Sequence, residues 1–220
     1  QGKLPKPDLV LHADTGSELP ETVQFLDKAR EICDEINVPF DIVKSHRGTL
    51  HDDYMRLKTI PIIGSRSCTS NFKILPQRRY IRKIVGNGKG KILCNMWLGI
   101  TIDEERRRVE KSDVKWTGLK YPLLDLYPIT RDQAIKINEK AGLYVGKSGC
   151  FCCPYAGTKH WLDLKKNHPE LFEIALEMEN LKFEHKGGKL GLFKLSKLPE
   201  LNNLDYQEDS NCDTGAGCFL

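Results

Sequence analysis

The chain contains no apolar run approaching the ~20 residues needed to cross a bilayer, and no secretory leader opens it. A membrane-spanning protein and a disulfide-framed secreted one are therefore not expected, and the chain reads as soluble and cytoplasmic. It also lacks strong charge of one sign. A net charge of +4 and a pI near 8.5 are too mild to require nucleic acid. The basic clusters Arg78-Arg79, Arg82-Lys83, Lys89, Lys91 and Arg106-Arg107-Arg108 read first as solvated helix faces with some phosphate affinity. Internal repeats and low-complexity tracts are missing, which excludes a solenoid or an array. An initiating methionine is missing too, so the start at Gln1 reads as processed or cut back. What is present is an ordinary globular balance, 40% hydrophobic and 29% charged over 220 residues. That is enough for one well-filled α/β domain with a small appendage.

The apolar pattern alternates between strands and helices. Asp8 to Ala13 reads as a buried strand ending at Asp14-Thr15-Gly16. A helix follows, with Ser17 and Pro20 near its start and Phe25, Ala29, Ile32 and Ile36 on one face. Phe40 to Val43 is a second strand, and a helix is expected near Leu50–Lys58. Phe72 to Val85 forms a basic amphipathic helix entered through Pro76 and stopped by Gly86-Asn87-Gly88. Ile92 to Leu98 is the next strand. Later, Thr130-Arg131-Asp132-Gln133 fits a capping box. Trp161, Leu164, Leu171, Ala175 and Met178 imply two helical pieces meeting at His168-Pro169. This order predicts an α/β fold, doubly wound, with a mostly parallel sheet and helices on both faces. The expected division is an α/β domain over residues 1–145 and a Cys-rich helical extension and tail over 146–220.

The 8 cysteines cluster, and without a secretory context clustering points to metal or redox chemistry. Cys33 lies on an apolar helix stripe and Cys94 inside a strand, and both read as inert core thiols. Cys68, Cys150, Cys152, Cys153, Cys212 and Cys218 remain. Cys150 and Cys153 form C-x2-C between the turn residues Gly149 and Pro154, a spacing that lets two thiolates grip one metal. The second notable element is Asp14-Thr15-Gly16, followed by Pro20-Glu21-Thr22. At the carboxyl end of a strand it offers a carboxylate, a hydroxyl and a permissive backbone where α/β sheets bind ligands. Asp-Thr-Gly recurs at Asp213-Thr214-Gly215, which invites comparison with a paired-aspartate protease. The comparison fails, because that fold is all-β and here an amphipathic helix follows the first copy.

Taken together, these segments resemble the phosphoadenosine phosphosulfate (PAPS) reductase family, within the PP-loop adenine nucleotide alpha hydrolase-like superfamily. Asp14-Thr15-Gly16…Pro20-Glu21-Thr22 looks like the family's strand-end motif. Cys68…Lys73…Pro76 is similar to its Cys-Cys-x-x-x-Lys-x-x-Pro segment, and Ser148-Gly149-Cys150…Cys153 to its Gly-Cys-x-x-Cys turn, 82 positions after Cys68. Order and spacing match over roughly residues 8–160. Trp97-Leu98-Gly99-Ile100 with Asp103, Glu104 and Arg106 also looks like uncharacterised phage and archaeal relatives.

The resemblance implies adenine-nucleotide-dependent sulfur chemistry with ATP or PAPS as substrate. Asp14, Thr15 and Gly16 would line the nucleotide, and Lys73 and Arg106 would meet phosphate or sulfate. Cys68, Cys150 and Cys153 carry over as ligands of an iron–sulfur cluster (4Fe-4S) or zinc. The fourth family position is Thr69, so Cys218 is the expected substitute, on a Gly-rich segment able to fold back. A low-pKa thiolate among these cysteines would carry sulfur. Alternative readings are sulfur insertion into tRNA or DNA, with the basic helix on phosphates, and a non-enzymatic metal-stapled binding module. A homodimer is compatible with all three.

Two departures shape expectation. The superfamily's Ser-Gly-Gly-x-Asp-Ser phosphate loop does not occur here, nor does the reductases' Glu-Cys-Gly-x-His ending, which puts sulfite-releasing reduction in question. The chain is expected to start downstream of the loop. Residues 1–220 should therefore bind ATP or PAPS weakly, and a longer chain restoring the upstream segment should bind better. Micromolar binding by residues 1–220 in calorimetry would contradict this.

Overall fold

The computed structural model describes residues 4–88, 90–143, 149–187, 193, 195 and 198. Within them, β1 (Val10–Asp14) leads into α1 (Pro20–Glu35), then β2 (Phe40–Lys44) and α2 (Leu50–Arg56). β1 and β2 pair in parallel, with Val10 opposite Phe40 and Asp14 opposite Lys44. Pro20 starts α1 because its missing N–H is one the first turn leaves unpaired anyway.

A π-helical turn over Thr69–Ile74 runs directly into α3 (Leu75–Val85). Pro76 explains the widened turn, since it cannot donate to the preceding turn and its ring crowds the carbonyl four residues back. The helix expected from Phe72 thus begins three residues earlier, at Thr69, in a looser form. Gly86, at φ 71°, ends α3 in a conformation suited to glycine.

β3 (Cys94–Trp97) and β4 (Thr117–Lys120) form a second parallel pair, joined through a 3-10 turn at Ile102–Arg107. β3 is shorter than the expected Ile92–Leu98 because its partner has only four residues. Short helices α4 (Pro122–Asp125) and α5 (Arg131–Lys140) follow. The capping box at Thr130 forms as expected, with Thr130 accepting from Gln133 N–H and Gln133 reaching back. α6 (Thr158–Asn167) and α7 (Pro169–Lys186) meet at His168, also as expected. The described residues thus form a mixed helix and strand fold with two small parallel sheets, each of two strands. No helix among them is long and apolar enough to cross a membrane.

The main hydrophobic core lies beside these sheets. Leu50 and Tyr54 of α2, Phe72 of the π-helical turn, Phe151 and Cys152, Trp161 and Leu164 of α6, and Phe172, Ala175 and Met178 of α7 pack together. This core draws on segments from either side of residue 145. Leu195 joins it, and its N–H donates to buried Glu179 at 2.9 Å. Phe193 stacks on Trp161 with ring centroids 4.9 Å apart.

Phe72 is 1% exposed and comes from the π-helical turn that carries Cys68 at its start. Phe72→Ala should cost about 3–5 kcal/mol by loss of transfer energy and creation of a cavity. Urea unfolding checks this; a loss below about 1 kcal/mol would mean that the core does not depend on this turn.

Candidate functional site

The end of β1 turns through Asp14-Thr15-Gly16-Ser17-Glu18, and this loop is locked from inside. Gly16 N–H donates to Asp14 Oδ1 at 2.7 Å, and Gly16 adopts φ +66°. A Cβ at Gly16 would stand 2.6 Å from Thr49 Cγ2, so both conformation and space call for glycine. Glu18 folds back over the turn. Its Oε1 accepts from Thr15 N–H at 3.0 Å and from the Thr15 hydroxyl at 2.7 Å, while Oε2 accepts from Ser17 N–H at 3.2 Å. Thr15 and Ser17 are each 1% exposed.

Two distant segments close on this loop. Leu50 N–H, at the start of α2, donates to Thr15 O at 2.8 Å. His51 follows, with its Nδ1 2.9 Å from Ser17 Oγ and its ring 5.5 Å from that of Phe151. Phe151 N–H donates to Ser17 O at 2.9 Å, next to an antiparallel bridge between Glu18 and Cys150. The Cys150–Cys153 segment is a tight turn, closed by Cys153 N–H donating to Cys150 O at 3.1 Å. Ser17 and His51 resemble two members of a hydrolytic triad, but Ser17 is too buried to meet a substrate. The pair fastens the loop to α2.

At the centre, Thr15 Oγ1 lies 3.4 Å from Cys150 Sγ. The threonine gives its own proton to Glu18, so the thiol donates to the threonine. The result is a chain from the Cys150 thiol through Thr15 to the Glu18 carboxylate. Burial pushes the Cys150 thiol up to about 11, the positive charge of Lys73 and the Thr15 bond oppose this, and Glu18 and Cys68 add to it. As it stands, burial favours the protonated thiol at Cys150.

His12 lies near the same charges. Burial lowers its imidazole, against Glu18 and Asp14 and with Lys73. Its Nε2 is buried with no hydrogen-bond partner among the described residues. Neither His12 nor Glu18 stands out in the sequence, where one reads as a strand residue and the other as part of a turn.

No protein-family model, curated protein or solved structure matches this chain.

The strand-end site therefore brings together Asp14, Thr15, Gly16, Lys73, Cys68 and Cys150. Cys68 and Cys150 are half-buried against the main core. Cys152 is fully buried, and burial drives its thiol well above the ordinary range, so it belongs to the core. Arg106 is exposed on the 3-10 turn after β3, in the other sheet's segment. Cys33 is buried as expected, and Cys94 is half-buried on β3. Among the described residues, no three His, Cys, Asp or Glu side chains stand close enough to hold one metal ion. Cys212 and Cys218 lie outside the described residues, as do Ser148 and Asp213-Thr214-Gly215. On α3, Arg78 pairs with Asp113, Arg79 meets His46 Nδ1 at 2.7 Å, and Arg82 covers the Trp116 ring. Its cations are thus largely engaged within the chain.

Asp14 also pairs with Lys44 across the sheet at 3.0 Å. Burial alone would raise its carboxyl, but the bonds from Lys44 and Gly16 N–H outweigh that and hold it below the usual range. A lowered carboxylate contributes stability above its unfolded value and loses it as pH falls through the folded one. Asp14→Ala should destabilise by roughly 1 kcal/mol near neutrality, a modest figure because Lys44 is exposed. The difference from wild type should shrink as pH falls below the ordinary carboxylate range. Thermal unfolding across that range checks the sign; a gap that widens in acid would refute it.

Proposed function

We propose that this chain is a PAPS reductase-like protein whose β1 strand end serves adenine-nucleotide-dependent sulfur chemistry. The observation that carries the reading is the 3.4 Å approach of Thr15 Oγ1 to Cys150 Sγ, between residues 135 positions apart. Two segments linked in the sequence only by resemblance to one family meet here, with Cys68 and Lys73 close enough to act on the same thiol. On this reading Asp14, Thr15 and Gly16 line the nucleotide, and Lys73 neutralises phosphate or sulfate, with Arg106 as a second cation. A doubly wound sheet and a cytoplasmic location belong to the same proposal. The parallel sense of both strand pairs, and the helix after β1, favour such a sheet.

Cys68, Cys150, Cys153 and Cys218 are the residues proposed to hold an iron–sulfur cluster or zinc. The described residues alone do not fit a closed site, since no three metal-binding side chains converge. A closed site would take the convergence of Cys68, Cys150 and Cys153 together with a donor from outside the described residues, for which Cys218 is proposed. When bound, such a group would supply a redox-capable or Lewis-acidic centre. The chain's own contribution is the hydrogen-bonded path: with a positive centre lowering the thiol, the Cys150 proton would pass to Thr15 as the Thr15 proton passes to Glu18. That leaves a thiolate able to ligate or to attack sulfur.

Anaerobic purification followed by iron, sulfide and zinc analysis tests the metal. Wild type should carry one of these, and Cys150→Ser should lose it. Wild-type protein without iron or zinc would overturn this part of the proposal.

A further inference from the structure

A second site lies on the other sheet and does not rest on the reading above. The β3–β4 register sets Asn95 opposite Gly118 and Trp97 opposite Lys120. Side chains alternate along a strand, so these four share one face. That face is the open one: Asn95, Trp97 and Lys120 are exposed, while Thr117 on the opposite face is buried. Gly118 has a specific reason to be glycine, since a Cβ there would stand 2.3 Å from Asn95 Oδ1. The bare backbone lets the Asn95 amide lie across β4.

Around this face is an open cavity of about 300 Å³, lined also by Pro5, Pro122 and Leu126. Its volume is at the lower end of the range for small-molecule sites, roughly 300–1,000 Å³. Two of its lining residues, Trp97 and Lys120, are the last of their parallel strands, and strand carboxyl ends are where α/β sheets characteristically hold ligands. The far wall is chemically spent. Tyr121 donates its hydroxyl proton to Val109 O at 2.8 Å, and Arg108 holds Asp125 through two bonds while covering the Tyr121 ring. On the floor, by contrast, the side chains of Asn95 and Lys120 make no hydrogen bond or ion pair among the described residues. Trp97 keeps 38% of its surface exposed beside them.

A large half-open aromatic, an unspent cation and an unspent amide on one face have a common complement. We propose that this cavity binds a planar heteroaromatic ring bearing a phosphate. The ring stacks on Trp97, its edge meets the donor and acceptor of Asn95, and Lys120 holds the anion. A free mononucleotide and a base of a single-stranded nucleic acid offer the same chemistry, and titration separates them.

The full chain would be titrated with adenosine monophosphate and, separately, with a short oligothymidylate. The indole N–H signal of Trp97 is followed by NMR, assigned through Trp97→Phe. Saturable shifts of that signal with the mononucleotide assign the site to free nucleotides. Shifts with the oligonucleotide alone assign it to single strands. Trp97→Ala should weaken binding about tenfold or more, with Trp97→Phe restoring most of it. Lys120→Gln should weaken it several-fold and reduce its salt dependence. Lys28→Gln, at an exposed lysine of α1, should leave this binding unchanged, and the metal analysis tests the sulfur reading separately, so failure here and failure of that reading are distinguishable. No shift with either probe at millimolar concentration, or undiminished binding by Trp97→Ala, would overturn the proposal.

Discussion

Glu18 carries the strand-end site. One carboxylate accepts two backbone N–H groups and a hydroxyl from the turn it belongs to, satisfying donors that would otherwise be buried with no partner. Bonds to an ionised acceptor are the stronger kind. With the turn held, Thr15 O and Ser17 O point outward as acceptors for Leu50 N–H and Phe151 N–H. α2 and the Cys150 turn are thereby fixed at the same strand end. Without Glu18 those carbonyls would lose their common orientation, and Cys150 would lose its approach to Thr15.

The same constraint explains why the cysteines stand where they do. The Cys150–Cys153 turn sends successive residues to different tasks. Cys150 faces the polar loop, Phe151 and Cys152 enter the core, and Cys153 remains half-buried. On the other side of that core, Phe72 anchors the π-helical turn that begins after Cys68. Aromatic packing thus brings two cysteine-bearing segments toward one strand end, while the polar loop determines how closely Cys150 approaches it. The thiols are desolvated as a consequence, which disfavours their charged forms unless a cation or a proton acceptor compensates.

Elements with strong local signals were legible. α1 announces itself through Pro20 and an apolar stripe, α5 through its capping box, and the α6–α7 break through His168-Pro169. β1 and β2 are short apolar runs bounded by turns. β4 was not legible: Trp116-Thr117-Gly118-Leu119-Lys120 contains a glycine, is very short and shows no clean alternation. It is a strand because β3 pairs with it. The π-helical form of the start of α3 was equally hidden, since the apolar pattern marks a helix from Phe72 but not the looser turn that begins at Thr69.

For the site, the sequence by itself determined the chemical inventory and its order. Asp14, Thr15 and Gly16 end a strand, a lysine and a proline follow Cys68, and C-x2-C lies in a turn. Local rules suffice for these, because a strand end, a tight turn and a helix entrance depend on a few neighbouring residues. Only the tertiary structure decided which of these groups meet. It chose Cys150 for Thr15, sent Cys152 into the core, and made Glu18 the organiser of the loop. It also left Arg106 on the other sheet's turn and exposed Trp97 beside Lys120. The meeting of Thr15 with Cys150 depends on a contact across 135 positions of chain, where side-chain packing and the satisfaction of buried hydrogen bonds, rather than spacing, select the partner.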